Sequence, residues 1–444
     1  MVLVAVAMVA ILAMAALSID VGVLYLAREE AQRSADAAAL ASARVLSLSG
    51  VTGDPNNVQG GLPGPPWPAA CSAATQVAQA VANENAVGST VPNTVNVTYL
   101  YNGAATDCTS MTGGFAINPQ VQVKVIRQGL PTLFSRIWGR STNSVSATAT
   151  AEAFNPSNSG SIAPNGIVPV HPRCVKPWIV PNSDPGNAAA TFVSLADGSI
   201  TTPGIKLSGV GTGVIGESFN LVPDCKPGGG PCSTPGLGNP LPNNPPVANP
   251  ATGQLQFVPG QLPASVTAVP PCSGGSSLEE TITGCDQATV YQCGTQLQNT
   301  VDLGVMNVSS DTTSAGQCIT HYQSATTDQD FLDTSTFPYK IISGTNNPLG
   351  GAGIASGTPI TDSNSIVTIP IYDQTPAGGL NATGTTAVTI VGFLQVFINN
   401  VDPVTGVSVT VLNVSGCGNG LTTAVSSTAA TGSSPVPVRL ITPQ

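Results

Sequence analysis

The longest apolar stretch of the chain lies at its N-terminus, where Val2 to Ala27 contains one ionisable side chain, Asp20. Such a run exceeds the roughly 18 to 20 apolar residues that cross a bilayer core. From Arg28 to Arg44 the chain is rich in charged residues and alanine, without Pro or Gly, so helix formation should continue into water. The pattern predicts a transmembrane helix with a soluble helical extension, together residues 1–46.

Small side chains recur at helical spacing along this extension, with Ala31, Ala35 and Ala38 at its centre. A stripe of this kind permits close approach of another helix or of the chain's own globular part. Asp20 lies near the outer end of the apolar run. We expect it to be solvated at the membrane interface rather than to act as a functional intramembrane carboxylate.

The pattern changes beyond residue 46. Residues 47–72 contain many Pro and Gly and are predicted to form a loop. Residues 73–160 begin with a helical segment and continue with alternating apolar and polar positions, which predicts a small α+β domain. Residues 161–444 are predicted to form a mainly β domain with long loops and a Pro/Gly-rich insertion near 223–271. The expected fold class is α+β.

Composition supports β-structure with many turns. Of 444 residues only 8% are charged, whereas Gly and Pro number 48 and 38; an average soluble domain is about 25% charged. A net charge of -10 without a basic patch disfavours nucleic-acid binding. Ten cysteines behind an export-type N-terminus favour disulfides over metal sites. Spacing suggests local bridges of Cys71 with Cys108 and of Cys225 with Cys232.

The sequence offers little that could support catalysis or metal binding. It has two histidines, His171 and His321, each within three residues of a cysteine, and no further pair completes a zinc site. The acidic cluster Asp328 to Asp333 lacks the Gly and the closing Glu of an EF-hand loop. We therefore expect no enzyme, no metal, no cofactor and no small-molecule substrate.

Two spaced motifs stand out in the N-terminal helix: residues 18–25 read SIDVGVLY and residues 32–41 read QRSADAAALA. These motifs resemble TadG-like proteins of Flp (Tad) pilus assembly. In that family a membrane helix ending in DVGxxY runs into QxAADAAALA, so Ser34 stands where Ala is usual. The positions that carry the match are Asp20, Gly22, Tyr25, Ala35, Asp36 and Ala38.

The resemblance implies a non-enzymatic role in Tad pilus assembly. It also implies a single-pass protein of the inner (cytoplasmic) membrane with an extracytoplasmic body and pilins or other pilus-assembly proteins as partners. In that interpretation the small-residue stripe packs on helices of the pilus machinery. The von Willebrand A domain of some TadG-like proteins has no recognisable counterpart here. The alternative function is a surface-anchored or secreted adhesin or binding protein that uses the helix as a tether.

Overall fold

The computed structural model describes most of the chain. For residues 2, 5, 6, 9, 12, 110, 248 and 249 it describes only the backbone. The described ranges are 2–57, 62–101, 104–111, 114–132, 142–157, 172–187, 190–223, 248–249, 253–260, 262, 266, 272, 275–286, 289, 291, 299–305, 307–375, 380, 384–417 and 434–441. Cys225, Cys232 and most of the predicted insertion 223–271 lie outside them.

Helix α1, Val2–Leu48, is 47 residues long. It ends where Gly50 takes a left-handed φ of 75°. A Cβ at Gly50 would meet the carbonyl oxygen of Leu412 at 2.6 Å, so glycine is required there. Three shorter helices follow among the described residues: α2 (Trp67–Glu84), α3 (Ser277–Thr283) and α4 (Val308–Ile319).

A five-stranded antiparallel sheet forms the first unit, in the order β17-β4-β3-β1-β2. Its strands are β1 (Thr94–Tyr101), β2 (Ala104–Thr106), β3 (Gln120–Pro131), β4 (Thr142–Ala153) and β17 (Val438–Ile441). Alternation along β3 and β4 buries one face, on which α1 and α2 pack. The last strand of the chain thus belongs with residues 94–153, although the sequence suggested a division near residue 160.

A closed barrel of six strands forms the second unit, because β5 pairs with both β13 and β8. Going round the ring, the strands are β5 (Trp178–Pro181), β13 (Ile366–Tyr372), β15 (Ile390–Asp402), β16 (Gly406–Gly416), β6 (Ser218–Pro223) and β8 (Gln254–Pro259). Every residue of β15 from Ile390 to Ile398 is buried, so this part of the strand is covered on both faces.

Smaller elements surround the barrel. Strand β7 (Ala248–Asn249) pairs with β8, and β9 (Asn299–Asp302) pairs with β14 (Thr385–Val388). A three-stranded sheet consists of β10 (Phe331–Asp333), β11 (Lys340–Ile342) and β12 (Pro359–Ile360). Helices α3 and α4 contact each other, and α4 also contacts β15 and β16. The predicted α+β class is confirmed.

Disulfides lie within each part of the molecule, one in the first unit and two around the barrel. The structure pairs Cys71 with Cys108, Cys174 with Cys285 and Cys272 with Cys318. Cys417 is also disulfide-bonded.

None of the helices is both long enough and apolar enough to cross a membrane within the part of the chain that the structure describes. The transmembrane helix predicted within residues 1–46 is therefore not observed there.

Candidate functional site: the N-terminal helix and its seat

Helix α1 has two halves with opposite surroundings. The first half, residues 3–26, is here called the arm. Its large apolar side chains are exposed at eleven positions: Leu3, Val4, Met8, Ile11, Met14, Leu17, Ile19, Val21, Val23, Tyr25 and Leu26. At 100° per residue these positions cover every side of the helix except one stripe, which carries Ala13, Ala16, Asp20 and Leu24. The arm is thus a helix of about 36 Å with most of its apolar surface uncovered.

The second half, residues 27–48, is here called the seat, and it is embedded in the first unit. Ala31, Ala35 and Ala38 are 0% exposed and belong to the core shared with α2 and the five-stranded sheet. The small-residue face that was expected to pack on helices of the pilus machinery is therefore already covered by the protein's own α2 and sheet. That expectation is corrected accordingly. Of the two interpretations of the stripe, the structure shows the one in which it packs on the chain's own globular part.

Small residues on the facing elements explain why the seat fits so closely. Helix α1 contacts both α2 and β4. These two elements contribute eight buried alanines to the shared core: Ala70, Ala74, Ala78, Ala82, Ala147, Ala149, Ala151 and Ala153. Alanine against alanine lets the backbones approach closely. Two polar contacts fix the register, since Ser34 Oγ donates to the Ala82 carbonyl at 3.3 Å and Gly88 N donates to Glu30 Oε2 at 2.7 Å.

The residues of the family motif lie at the boundary between arm and seat. Gly22 has open space around it and Tyr25 is 67% exposed, so both lie on the uncovered surface. Asp36 accepts a hydrogen bond from Gln32 Nε2 at 2.7 Å. Asp20 was expected to be solvated, but that expectation is wrong: it is only 5% exposed and lies on the same helical stripe as the buried alanines of the seat.

A buried polar network connects the C-terminal end of α1 to the barrel. Asn413 on β16 donates through Nδ2 to the Ser47 carbonyl at 2.8 Å and to Thr52 Oγ1 at 3.0 Å. Asn155, which follows β4, donates to the same Thr52 hydroxyl at 3.2 Å and to the Val414 carbonyl at 3.0 Å. The seat, the sheet and the barrel therefore meet at one hydrogen-bonded junction.

A second polar cluster lies at the barrel. Lys206 Nζ is 3.6 Å from Glu217 Oε2, and Glu217 shares a hydrogen bond with Asp184. Burial, followed by the neighbouring Asp184 charge, raises the pKa of Glu217 to about 7, and Lys206 offsets this only in part. Burial also raises the pKa of Asp184. The pair can thus hold one proton near neutral pH, which no local sequence signal indicated.

The residues considered for metal binding have structural partners. Asp328 accepts hydrogen bonds from the backbone of Ser324 and Ala325, both at 2.9 Å. Asp330 accepts from Asn347 Nδ2 at 2.7 Å. No group of three or more His, Cys, Asp or Glu residues is arranged to hold a metal ion anywhere in the described ranges. His171 lies outside them.

Comparison with known proteins identifies the N-terminal helix alone. Residues 1–45 match the family model described as putative Flp pilus-assembly TadE/G-like. No curated protein and no solved structure shows a significant match. The matched segment is about a tenth of the chain and coincides with the arm and most of the seat. The resemblance to TadG-like proteins of Flp pilus assembly is therefore confirmed, and it rests on the helix rather than on the body that the helix carries.

Proposed function

We propose that the protein is a non-enzymatic, membrane-anchored component of Tad (Flp) pilus assembly that is attached through the arm of α1. The observation that supports this most directly is the coincidence of two features. The family match lies on α1, and α1 carries the large uncovered apolar surface of the arm. The seat then holds the arm to a body that pilins or other assembly components contact.

The energetics favour a covered arm. Full burial of one Val, Leu, Ile or Met side chain contributes roughly 1.5 to 3 kcal/mol. Covering half of the eleven exposed side chains would contribute on the order of 10 kcal/mol before the cost of association. A helix that is apolar on nearly every side is found inside a protein assembly or in a membrane rather than in water. Attachment to the inner membrane supplies such an environment.

The body suits an extracytoplasmic location. Three cysteine pairs are bonded in the described residues, and disulfides persist in oxidising compartments. The low charge content and the Pro- and Gly-rich loops are compatible with that placement.

The test makes the arm polar without disturbing the body. Met14, Leu17 and Val21 are exposed, so a triple replacement by Gln, a good helix former, should leave thermal unfolding of the body unchanged. We expect the variant to leave the membrane fraction and to fail in pilus assembly. The matched control is Arg33→Gln in the seat, where the Arg33 side chain is 82% exposed. A triple variant that still sediments with membranes and still supports piliation would refute the proposal. Normal piliation with lost surface adhesion would favour the adhesin alternative.

A further inference from the structure

A cavity of about 390 Å³ lies beside the C-terminal end of α1. Residues of the barrel and of the Cys174–Cys285 and Cys272–Cys318 disulfides line it. Its lining includes four groups that matter here: Arg44, Lys176, His321 and Gln395. Cavities of 300 to 1,000 Å³ with a few convergent polar groups are typical of small-molecule sites. The nature of these groups indicates what the cavity can bind.

Lys176 is a buried cation with one hydrogen-bond acceptor within the described part of the chain. It is 9% exposed, and its Nζ donates to the Gly284 carbonyl at 3.1 Å. An ammonium group has three N–H donors, and Lys176 forms no ion pair with any residue that the structure describes. Burial lowers its pKa to about 8, which leaves most of the molecules charged at pH 7. A buried charge of this kind is costly unless an anion accompanies it.

The other charged groups at the cavity do not supply that anion. Arg44 Nη2 lies 2.9 Å from Asp362 Oδ1 at the solvent-exposed mouth, so the Asp362 carboxylate already has a cation. His321 Nε2 is 3.1 Å from Asn364 Nδ2, and burial lowers the pKa of His321. Among the residues that the structure describes, Lys176 is therefore the one charged side chain lining the cavity that forms no ion pair.

Gln395 on β15 adds an unused polar atom. Its side chain is 2% exposed, Nε2 donates to Ser434 Oγ at 3.0 Å, and Oε1 has no hydrogen-bond partner in the described structure. A buried amide oxygen without a partner costs roughly 1 to 3 kcal/mol. Gln395 lines the cavity, but Oε1 itself has almost no accessible surface, so a ligand hydroxyl or amine reaches it once the side-chain amide rotates toward the cavity.

Disulfides hold the walls in place. Cys174, two residues before Lys176, is bonded to Cys285, which follows the Gly284 carbonyl that Lys176 contacts. Cys272 is bonded to Cys318, three residues before His321. A cross-linked wall reduces the ordering cost of binding.

We propose that this cavity is a binding site for a small monocarboxylate that carries a hydroxyl or amino group, with Lys176 Nζ on the carboxylate and Gln395 Oε1 on the donor. One carboxylate supplies one negative charge for the Lys176 ammonium, whereas a phosphate dianion would add a second negative charge beside Asp362. This site goes beyond the proposed role in pilus assembly and does not depend on it.

The experiment measures binding of lactate, glycine, hexanoate and inorganic phosphate to the full chain by isothermal titration calorimetry at constant ionic strength. We expect saturable binding of lactate or glycine, and weaker binding of hexanoate, which lacks the donor. Lys176→Met should weaken binding by roughly tenfold or more, because a charge-assisted hydrogen bond contributes about 1.5 to 3 kcal/mol. The matched control is Lys124→Met, since Lys124 is exposed on β3.

Saturation-transfer NMR of lactate with the wild-type chain keeps the test independent of how the variant folds. An absence of lactate and glycine binding to the wild type would overturn the proposal. So would unchanged affinity in a folded Lys176→Met variant, or tighter binding of phosphate than of either carboxylate.

Discussion

Replacing Ala35 by Leu tests whether the seat of α1 is a closed interface. Ala35 is fully buried at the centre of the seat, in the core that joins α1, α2 and the sheet. Leucine adds three carbon atoms at a position where the facing residues are themselves alanines. The substitution keeps helix propensity almost constant, so its effect reports on packing.

The sign of the effect depends on whether the added atoms find room. If the interface had a void, burying three further carbons would stabilise the protein by about 2.4 kcal/mol, at roughly 0.8 kcal/mol each. In a filled interface the same atoms displace the helix, which costs about 1 to 3 kcal/mol. Close alanine-to-alanine contact predicts the second outcome, a loss of about 1 to 3 kcal/mol in the free energy of unfolding.

Urea unfolding followed by tryptophan fluorescence suits the measurement, because Trp67 is buried in the same core. The control is Ala15→Leu, the same change at an exposed position of the arm, which should alter the free energy of unfolding by less than about 0.5 kcal/mol. Equal or greater stability of Ala35→Leu would show that the seat has room, and the close packing described above would be wrong.

Three further predictions concern the body. Glu217 has a higher pKa in the folded state than its ordinary 4.5, so its ionisation opposes folding and stability should fall as pH rises from about 4.5 to 7. Glu217→Gln should remove about 2 to 3 kcal/mol of that dependence in urea titrations at several pH values. Asn413→Leu should cost about 2 to 4 kcal/mol, measured by thermal unfolding, because the Ser47 carbonyl loses its buried donor; an unchanged midpoint would contradict the junction. Replacing Cys71 and Cys108 by Ala opens a loop of 37 residues and should cost about 3 to 4 kcal/mol in chemical denaturation; no loss would mean that the bridge adds no stability.

Local patterns predicted the elements whose signal is local. Helical spacing of small residues marked the face that α1 buries, and period-two alternation marked β3 and β4. In each case burial of one face leaves a periodic trace in the sequence.

Features that depend on distant segments left no such trace. The barrel closes because β5 pairs with β13 and β8, which lie far along the chain, and β17 returns to β4 from the C-terminus. The residues next to Lys176 and Glu217 in the sequence do not indicate that these side chains are buried. They become buried because segments that are distant in the sequence pack around them. Asp20 was misjudged for a related reason: its stripe continues into the seat, and an apolar run alone does not reveal which side of a helix is covered.

The two halves of α1 explain why a short family match can belong to a long chain. The motif contains the end of the arm and the small residues of the seat. Both parts are needed for a rigid helix to project from a folded body at a fixed position. Because α1 continues from arm to seat without a break, no flexible linker separates the arm from the core. The junction of Ser47, Thr52 and Asn413 extends that rigid connection to the barrel. A displacement of the arm must therefore move both units of the body together.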